Sequence, residues 1–292
     1  MQNFYWYLIC TLKTIFNLLP HKAAVRFGSF MGTLMWLVCK KKVDKAEARC
    51  VRVLGVGVTT ARGIVHESYR NLGRAAAETL RLPKIADCVG DYVTLKGEEN
   101  IRSALAEGKG VILLLGHLDN WEICNIHASR KYPFHVLGAN QRDERINELL
   151  AKLRSIGGAR NVRKGSGLKA AIDCLRKGEV LCILHDQDAK DKGIVVPFLG
   201  EPASTPTGIV KLAAKFGAAV IPVHIFRNED GFTHTAIFEE RLRDPSGKPF
   251  GADEELSLRM CNDRISAWIL EHPEQWLIWL YPRWASTVPG DK

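Results

Sequence analysis

Short apolar segments that end in polar residues alternate with amphipathic segments from residue 97 onward. The clearest is VILLL at residues 111–115, which ends at Gly116 and is followed by His117. A partly β-branched apolar run of this length predicts a strand, and the glycine marks its end. Strands separated by helix-length segments predict a mostly parallel sheet with helices on both faces. The sequence therefore predicts an α/β domain over residues 84–292.

The spacing of apolar residues also predicts the individual elements of this domain. Strands are expected at residues 111–115, 133–139, 179–188, 218–226 and 232–240, and a short hairpin or loop at 193–203. Helices are expected at 98–107, from near Asp119 to about Lys131, at 145–157, before Lys177 and at 253–272. Thr205 and Pro206 predict one more helix start, as N-cap and first helical residue.

Residues 1–83 carry the whole excess of positive charge. This segment has 13 Lys and Arg against 4 Asp and Glu, whereas the rest of the chain is balanced and the total is +9. Anionic head groups attract Lys and Arg at a membrane surface. Apolar and aromatic residues interleave with these charges too heavily for a nucleic-acid-binding arm. We therefore expect an anionic membrane surface, and no nucleic acid, as the partner of this segment.

Three helices are predicted within the N-terminal segment. Residues 1–19 are apolar and aromatic but contain Lys13, so we expect a helix that lies in the membrane interface rather than a confident span. A signal peptide is not indicated, because a basic leader and a cleavage site are missing. A second apolar helix at 23–39 meets three lysines, and a third, amphipathic helix at 59–82 is expected to stop at Pro83.

The eight cysteines are scattered and form no C-x-x-C pair. Several lie in apolar runs, which indicates buried, reduced thiols in a cytosolic compartment and excludes a zinc ribbon.

His117 follows the 111–115 strand and precedes Glu122 by five positions. The carboxyl ends of parallel strands are where side chains in open α/β sheets bind ligands and perform chemistry. If a helix begins near Asp119, Glu122 can reach back to the imidazole and leave its other nitrogen free to accept a proton. His117 and Glu122 are therefore the predicted catalytic pair; the alternative is a hydrogen-bonded structural histidine.

A second set of polar residues ends the strand near residue 184. Asp186, Gln187 and Asp188 lie at the same predicted sheet edge as the histidine. Arg154, on the helix between the two strands, and Lys164, in a glycine-containing basic turn, suit an anionic group. These five residues are predicted to bind substrate or support the site.

Competing kinds of site are weaker. A metal site from His117, Asp119, His127 and Asp186 is conceivable, but the two histidines are ten apart rather than four. The sequence has no G-x-S-x-G elbow and no Walker or Rossmann glycine pattern. We expect neither a metal nor a resident cofactor.

Several phrases together resemble one family. They are GHLDNWE at 116–122, R-x-N-x-x-L at 145–150 with Arg154 after it, HDQD at 185–188, VPFLGEPASTPTG at 196–208, AAVIPV at 218–223 and EHPEQWLIWLYPRW at 271–284. The whole chain resembles the bacterial lipid A biosynthesis acyltransferases and their relatives, the phosphatidylinositol mannoside acyltransferases. Many members have Phe-Gly where this chain has Leu118 and Asp119. We expect Trp276, Trp279 and Trp284 to pack in the core rather than contact lipid.

The resemblance implies an O-acyltransferase at the cytoplasmic face of the inner membrane. His117 would act as general base on a hydroxyl of a lipid A precursor or related glycolipid, oriented by Glu122. Acyl carrier protein or acyl coenzyme A would supply the acyl chain as a thioester. The alternatives are a phospholipid or phosphatidylinositol mannoside acceptor, a membrane-bound hydrolase or thioesterase with the same pair, and a non-enzymatic membrane adaptor.

Overall fold

The computed structural model describes residues 2–138, 141–163 and 167–291. The helices are α1 (Gln2–Leu18), α2 (His21–Val38), α3 (Lys40–Leu54), α4 (Val58–Ile85), α5 (Glu98–Ala106), α6 (Trp121–Ser129), α7 (Glu144–Ser155), α8 (Leu168–Arg176), α9 (Gly208–Phe216) and α10 (Glu254–Glu271). The strands are β1 (Val93–Lys96), β2 (Val111–Leu115), β3 (Phe134–Gly138), β4 (Arg160–Arg163), β5 (Val180–Leu184), β6 (Ile194–Phe198), β7 (Glu201–Thr205), β8 (Ala219–Arg227) and β9 (His234–Phe238).

Seven strands form the central sheet in the order β1-β9-β8-β2-β5-β3-β4. Every neighbouring pair is parallel except β8 and β9, which are antiparallel. The predicted α/β class with a mostly parallel sheet is confirmed. Of the two alternatives for residues 193–203, the structure has the hairpin, formed by β6 and β7 as a separate two-stranded sheet. The edge strands β1 and β4 were not predicted.

All five residues of β2 are buried, because helices cover both faces of the sheet. Successive side chains of a strand point to opposite faces. Ile112 and Leu114 accordingly belong to one core cluster, with α3, α4, α8, α9 and α10. Val111, Leu113 and Leu115 belong to the other, with α5, α6 and α7. This double burial is why β2 is an unbroken apolar run.

The N-terminal helices pack against the rest of the chain. Cys50 of α3 and Tyr69 of α4 share a core cluster with the sheet and with Trp276. The three predicted C-terminal tryptophans are fully buried, as expected. In the described ranges, no helix is both long and apolar enough to cross a bilayer. The domain boundary after residue 83 stays a prediction.

Two predicted helix boundaries were wrong. Pro83 lies inside α4, which continues to Ile85. Thr205 belongs to β7, and the N-cap of α9 is Thr207 rather than Thr205. The hydroxyl of Thr205 instead accepts a hydrogen bond from Asn262 of α10, at 3.0 Å.

Helices α2 and α4 are in backbone contact at three glycines. A Cβ at Gly32 would lie 2.2 Å from the carbonyl oxygen of Tyr69, and one at Gly73 would lie 2.0 Å from that of Gly28. Small residues spaced four apart on a helix, as Gly28 and Gly32 are, let two helix backbones approach closely. The α2–α4 contact therefore depends on the missing side chains.

Gly32→Ala is expected to destabilise the protein by about 1–3 kcal/mol, because the added methyl group meets backbone atoms that cannot move alone. Gly63→Ala is the matched control, since its Cβ would meet nothing within 4 Å. That control should stabilise helix α4 by about 0.5–1 kcal/mol. Thermal unfolding measures both, and an equal rise in melting temperature would contradict the close contact.

Candidate active site

The ends of β2 and β5 bring His117 and Asp186 together. The two strands are parallel neighbours with Leu115 opposite Leu184, so the residues that follow them lie side by side. His117 Nδ1 is 2.5 Å from one carboxylate oxygen of Asp186, and the backbone N–H of His117 donates to the other at 2.7 Å. Gly116 leaves room for this approach, since a Cβ there would lie 3.3 Å from that second oxygen.

Asp186 is fully buried and ionised. Burial by itself would raise its pKa, but the charge and hydrogen bonds of His117 and the indole of Trp276 lower it to about 2. The Trp276 indole N–H donates to the carboxylate at 2.8 Å. A carboxylate at Nδ1 fixes the imidazole with its proton on that nitrogen and leaves Nε2 as the acceptor.

Glu122 does not orient His117, contrary to the sequence prediction. Its carboxylate accepts hydrogen bonds from Nε of Arg154 at 2.9 and 3.1 Å and from the indole of Trp121 at 3.2 Å. Helix α6 begins at Trp121, with Asn120 as its N-cap. The first helical turn directs Glu122 toward α7, where Arg154 lies, so the two predicted catalytic residues take different partners.

Arg154 is a buried ion-pair partner rather than a free cation. Besides its bonds to Glu122, its Nη1 donates to Asn161 at 2.7 Å. Burial would lower the pKa of the guanidinium, but the Glu122 charge raises it. Its charge is therefore already balanced within the protein.

The other predicted site residues are divided. Gln187 lines the same cavity as His117. Asp188 lies outside the cavity lining; its carboxylate accepts hydrogen bonds from the hydroxyl of Ser286 at 2.6 Å and the backbone of Lys190 at 2.9 Å. It thereby holds the C-terminal segment. Lys164 lies outside the described residues.

A largely apolar cavity of about 730 Å³ opens beside the histidine. His117, Glu122 and Arg154 are among its polar residues. Its apolar walls come mainly from α4, α7, α8 and α9 and include Leu72, Ala76, Leu80, Ile146, Leu149, Leu150, Leu153, Leu168, Ala171, Ile209 and Leu212. A cavity of this size, with a few polar groups at one place, suits a ligand with a long apolar part.

A buried charged cluster that the sequence did not predict holds the segment after His117. Asp119 has a left-handed backbone with φ of 44°. Its carboxylate pairs with Arg227 at 2.9 Å and with His234, and Arg227 also pairs with Glu78 at 2.6 Å. Asn120 donates to Glu78 at 3.0 Å. These contacts hold Asp119 in a left-handed backbone conformation that is unfavourable by itself.

The C-terminal segment pairs with the same turn. The backbone N–H of Asp119 donates to the carbonyl of Gln275, and that of Leu277 donates to the carbonyl of His117, both at 2.9 Å. The side chain of Gln275 also bonds to the backbone of Arg227, at 2.6 and 3.1 Å. The HPEQW motif at residues 272–276 therefore holds the turn that contains His117, although it lies far along the chain.

Two groups of three potential metal ligands occur in the described part of the chain. They are His135, Cys174 and Glu179, and His224, Glu271 and His272. Neither includes the predicted candidates, since Asp186 holds His117 and Asp119 holds His234. In the cavity, Nδ1 of His117 contacts the Asp186 carboxylate and belongs to neither group.

The fold and the site define an α/β enzyme with a His–Asp pair at the carboxyl edge of a parallel sheet. Comparison with known proteins then gives the family. The family described as "Bacterial lipid A biosynthesis acyltransferase" matches residues 2–286. The chain belongs to this family, and it is an acyltransferase of lipid A or glycolipid type with a lipid acceptor and an acyl donor.

Relatives of two kinds support the assignment. The chain is 26% identical to a lipid A biosynthesis lauroyltransferase of Escherichia coli over 281 residues, covering 93% of this chain and 88% of that protein. It is 27% identical to a phosphatidylinositol mannoside acyltransferase of Mycobacterium tuberculosis over 256 residues, covering 84% and 78%. A Mycolicibacterium smegmatis protein of the same name is 25% identical over 235 residues, covering 78% and 75%.

The buried cluster predicts a pH dependence of stability. Burial would lower the pKa of His234, but Asp119 and Glu78 raise it to about 9 from 6.5. A raised folded pKa stabilises the protein fully below pH 6.5, and this contribution is lost as pH rises to about 9. The melting temperature of the wild type should fall over that interval, as thermal unfolding would measure.

His234→Gln is the comparison for this pH dependence. The variant should be less stable than the wild type at pH 6.5 and should lose less stability between there and pH 9. Parallel curves for the two proteins would show that His234 is not protonated in the folded state.

Proposed function

We propose that the protein transfers a fatty acyl chain from a thioester to a hydroxyl of a membrane glycolipid, with His117 as general base. The observation that supports this most directly is the His117–Asp186 contact at the polar end of an apolar cavity. In the described part of the chain, no hydrogen bond engages Nε2 of His117. That nitrogen is therefore free for the acceptor hydroxyl.

The proposed reaction needs no covalent enzyme intermediate. Nε2 of His117 takes the proton of the acceptor hydroxyl, and the oxygen attacks the thioester carbonyl carbon. The carbon–sulfur bond then breaks, and the imidazolium returns the proton to the leaving thiolate. Asp186 stabilises the imidazolium between these steps, since its carboxylate stays ionised next to Nδ1.

In this proposal, Glu122 helps to bind the acceptor instead of orienting His117. Its ion pair with Arg154 makes a rigid, polar part of the cavity wall. The carboxylate has oxygens that can also accept a hydrogen bond from the acceptor sugar, so we assign Glu122 to acceptor positioning. Removing one member of a buried ion pair leaves an unpaired charge and destabilises a protein by about 3–5 kcal/mol.

The apolar end of the cavity would hold the acyl chain. Its walls come from aliphatic residues of four helices, and burying each methylene group stabilises the complex by about 0.8 kcal/mol. The thioester carbonyl would then lie beside His117, where the polar residues are.

Helices α1 and α2 would hold the enzyme at the membrane. Each has an exposed apolar stripe: Phe4, Tyr7, Leu8, Ile15 and Leu18 on α1, and Phe30, Leu34, Leu37 and Val38 on α2. Exposed apolar stripes next to basic residues suit the interface of an anionic bilayer. We propose the cytoplasmic face of the inner membrane as the site of action.

The acceptor is proposed to be a lipid A precursor, with a phosphatidylinositol mannoside as the competing glycolipid. Relatives named for each acceptor match this chain at similar identity. The donor is proposed to be acyl carrier protein or acyl coenzyme A, since either supplies the thioester that the His117 mechanism requires.

Acyl transfer by purified protein in detergent tests this function. Each donor is offered with a lipid A precursor, a phosphatidylinositol mannoside and a lysophospholipid, and products are identified by mass spectrometry. His117→Ala should lower kcat by about 10²- to 10⁴-fold, because it removes the base. It also removes one hydrogen-bond donor of the buried Asp186 carboxylate, so the melting temperature should fall as well, and activity is compared at a temperature where the variant is folded.

Asp186→Asn should lower kcat by at least about 10²-fold, because an amide cannot stabilise the imidazolium. Asp191→Asn is the matched control, an exposed residue five positions further on. Full activity in both His117→Ala and Asp186→Asn would contradict the proposed base. Acyl release to water in place of transfer would identify a hydrolase.

The cavity predicts chain-length selectivity. Ala76 lies on the wall formed by α4, so Ala76→Phe should reduce the volume available to the acyl chain. We expect the ratio of long-chain to short-chain transfer to fall by about tenfold, the loss from excluding roughly two methylene groups. Ala106→Phe, exposed on α5, is the control, and an unchanged ratio in Ala76→Phe would place the chain elsewhere.

A further inference from the structure

A second cleft, of about 410 Å³, lies against α2, α4 and the turn between β8 and β9. Its α4 residues are His66, Arg70 and Arg74. The catalytic cavity uses Leu72 and Ala76 of the same helix, two positions from these and thus about 200° around the axis. The two spaces share no lining residue and lie on opposite sides of α4.

Arginines dominate the cleft. Arg26, Arg70 and Arg74 line it, with Asp230 as the acidic lining residue. The Asp230 carboxylate is occupied by the backbone N–H groups of its own turn, at 2.8 and 2.9 Å. Lys22 adds a charge beside the cleft, since it and Arg26 both lie over the ring of Phe232. The lining is therefore net positive.

One acid bridges two of the arginines. Glu67 accepts from Arg70 at 2.8 Å and from Arg74 at 2.7 Å, which holds both guanidinium groups in place with one negative charge. The Nε of Arg70 donates to Ser29 at 2.9 Å. In the described structure, Arg26 has no carboxylate partner and Nη2 of Arg70 has no hydrogen-bond acceptor. Guanidinium N–H groups of this kind suit phosphate oxygens.

The charge of the cleft also acts on its histidine. His66 bonds to the hydroxyl of Thr33 at 3.1 Å. Burial, and after it the positive charge of Arg70, lowers the pKa of His66. An anion bound in the cleft would raise the pKa of His66, so the signals of the His66 ring can be used to detect binding.

The rim of the cleft is apolar on one side. Phe30 lines it with 61% of its surface exposed, and the α2 stripe continues from there through Leu34 and Leu37 to Val38. A free inorganic anion would use the arginines alone. A molecule with a charged group and apolar chains would use both, which favours a lipid.

We propose that this cleft binds the phosphate head group of an anionic membrane lipid, whose chains lie along the α2 stripe. The lipid is held on the far side of α4 from the catalytic cavity, so it is not the acceptor in the transfer reaction. The inference rests on the membrane association proposed above. It adds a binding site for one class of lipid to the general attraction between the basic helices and an anionic bilayer.

Vesicle binding tests the proposal. Full-length wild-type protein is mixed with phosphatidylcholine vesicles, with or without phosphatidylglycerol. Arg26→Gln with Arg70→Gln should lower the affinity for phosphatidylglycerol vesicles about 30-fold, the effect of two basic residues at a membrane surface. Arg102→Gln with Arg176→Gln is the control, with the same charge change at exposed positions of α5 and α8, and should lower it less than about threefold.

The outcomes separate this inference from the proposed function. Equal losses in the two double variants would overturn the cleft and leave membrane association and acyl transfer intact. If the wild-type protein bound vesicles as expected but transferred no acyl chain, the proposed function would be wrong and the cleft proposal would stand. Phe30→Ser is a second variant that keeps every arginine; it should also weaken binding, and normal binding by this variant would overturn the role of the apolar rim.

A soluble assay identifies the ligand directly. The His66 ring signals are followed by NMR during addition of inorganic phosphate or of dihexanoyl phosphatidylglycerol below its micelle concentration. We expect the short-chain lipid to shift these signals at a lower concentration than phosphate does. If the lipid and phosphate shifted the signals at the same concentration, the cleft would be a site for free phosphate and the lipid proposal would be wrong. No shift with either ligand would also overturn the proposal.

Discussion

The rest of the site depends on the hydrogen bonds of the Asp186 carboxylate. It accepts hydrogen bonds from the backbone and ring of His117 and from the indole of Trp276, so it joins the ends of β2 and β5 to the C-terminal segment. A fully buried carboxylate is stable only when its donors are all present. Docking of the C-terminal segment and orientation of the histidine are therefore one event, which explains why residues far apart in the chain act as one site.

The sheet could be predicted from the sequence, but its edges could not. The buried central strands are unbroken apolar runs, whereas β1 is VTLK and β4 is RNVR, each too short and too polar to give a periodic signal. Sequence also placed His117 and Asp186 at one sheet edge, correctly. It chose Glu122 as the partner because five positions separate that residue from His117, whereas 69 separate Asp186. Where a helix begins decides the direction of a side chain, and spacing alone does not show it.

The buried cluster of Glu78, Asp119, Arg227 and His234 shows a further limit of sequence reasoning. Its members come from α4, the turn after β2, and the facing ends of β8 and β9, so no local pattern joins them. The family resemblance pointed to the sequence motifs but did not show which residues of different motifs contact each other. In the structure, Gln275 of HPEQW holds the Arg227 backbone, and Arg283 bonds to Ser204 and Thr205 of PASTPTG at 2.7 and 3.1 Å.

The glycine contact between α2 and α4 has a mechanical consequence. Because Gly28, Gly32 and Gly73 bring two backbones together, the helix that carries the exposed stripe is held close to α4, which forms part of the cavity wall. With α2 at a bilayer, as proposed above, this contact would fix the distance between the membrane surface and the cavity that contains His117. In that arrangement, substitutions on the stripe would change the affinity for the membrane, whereas substitutions at the glycines would change the distance between the membrane and the cavity.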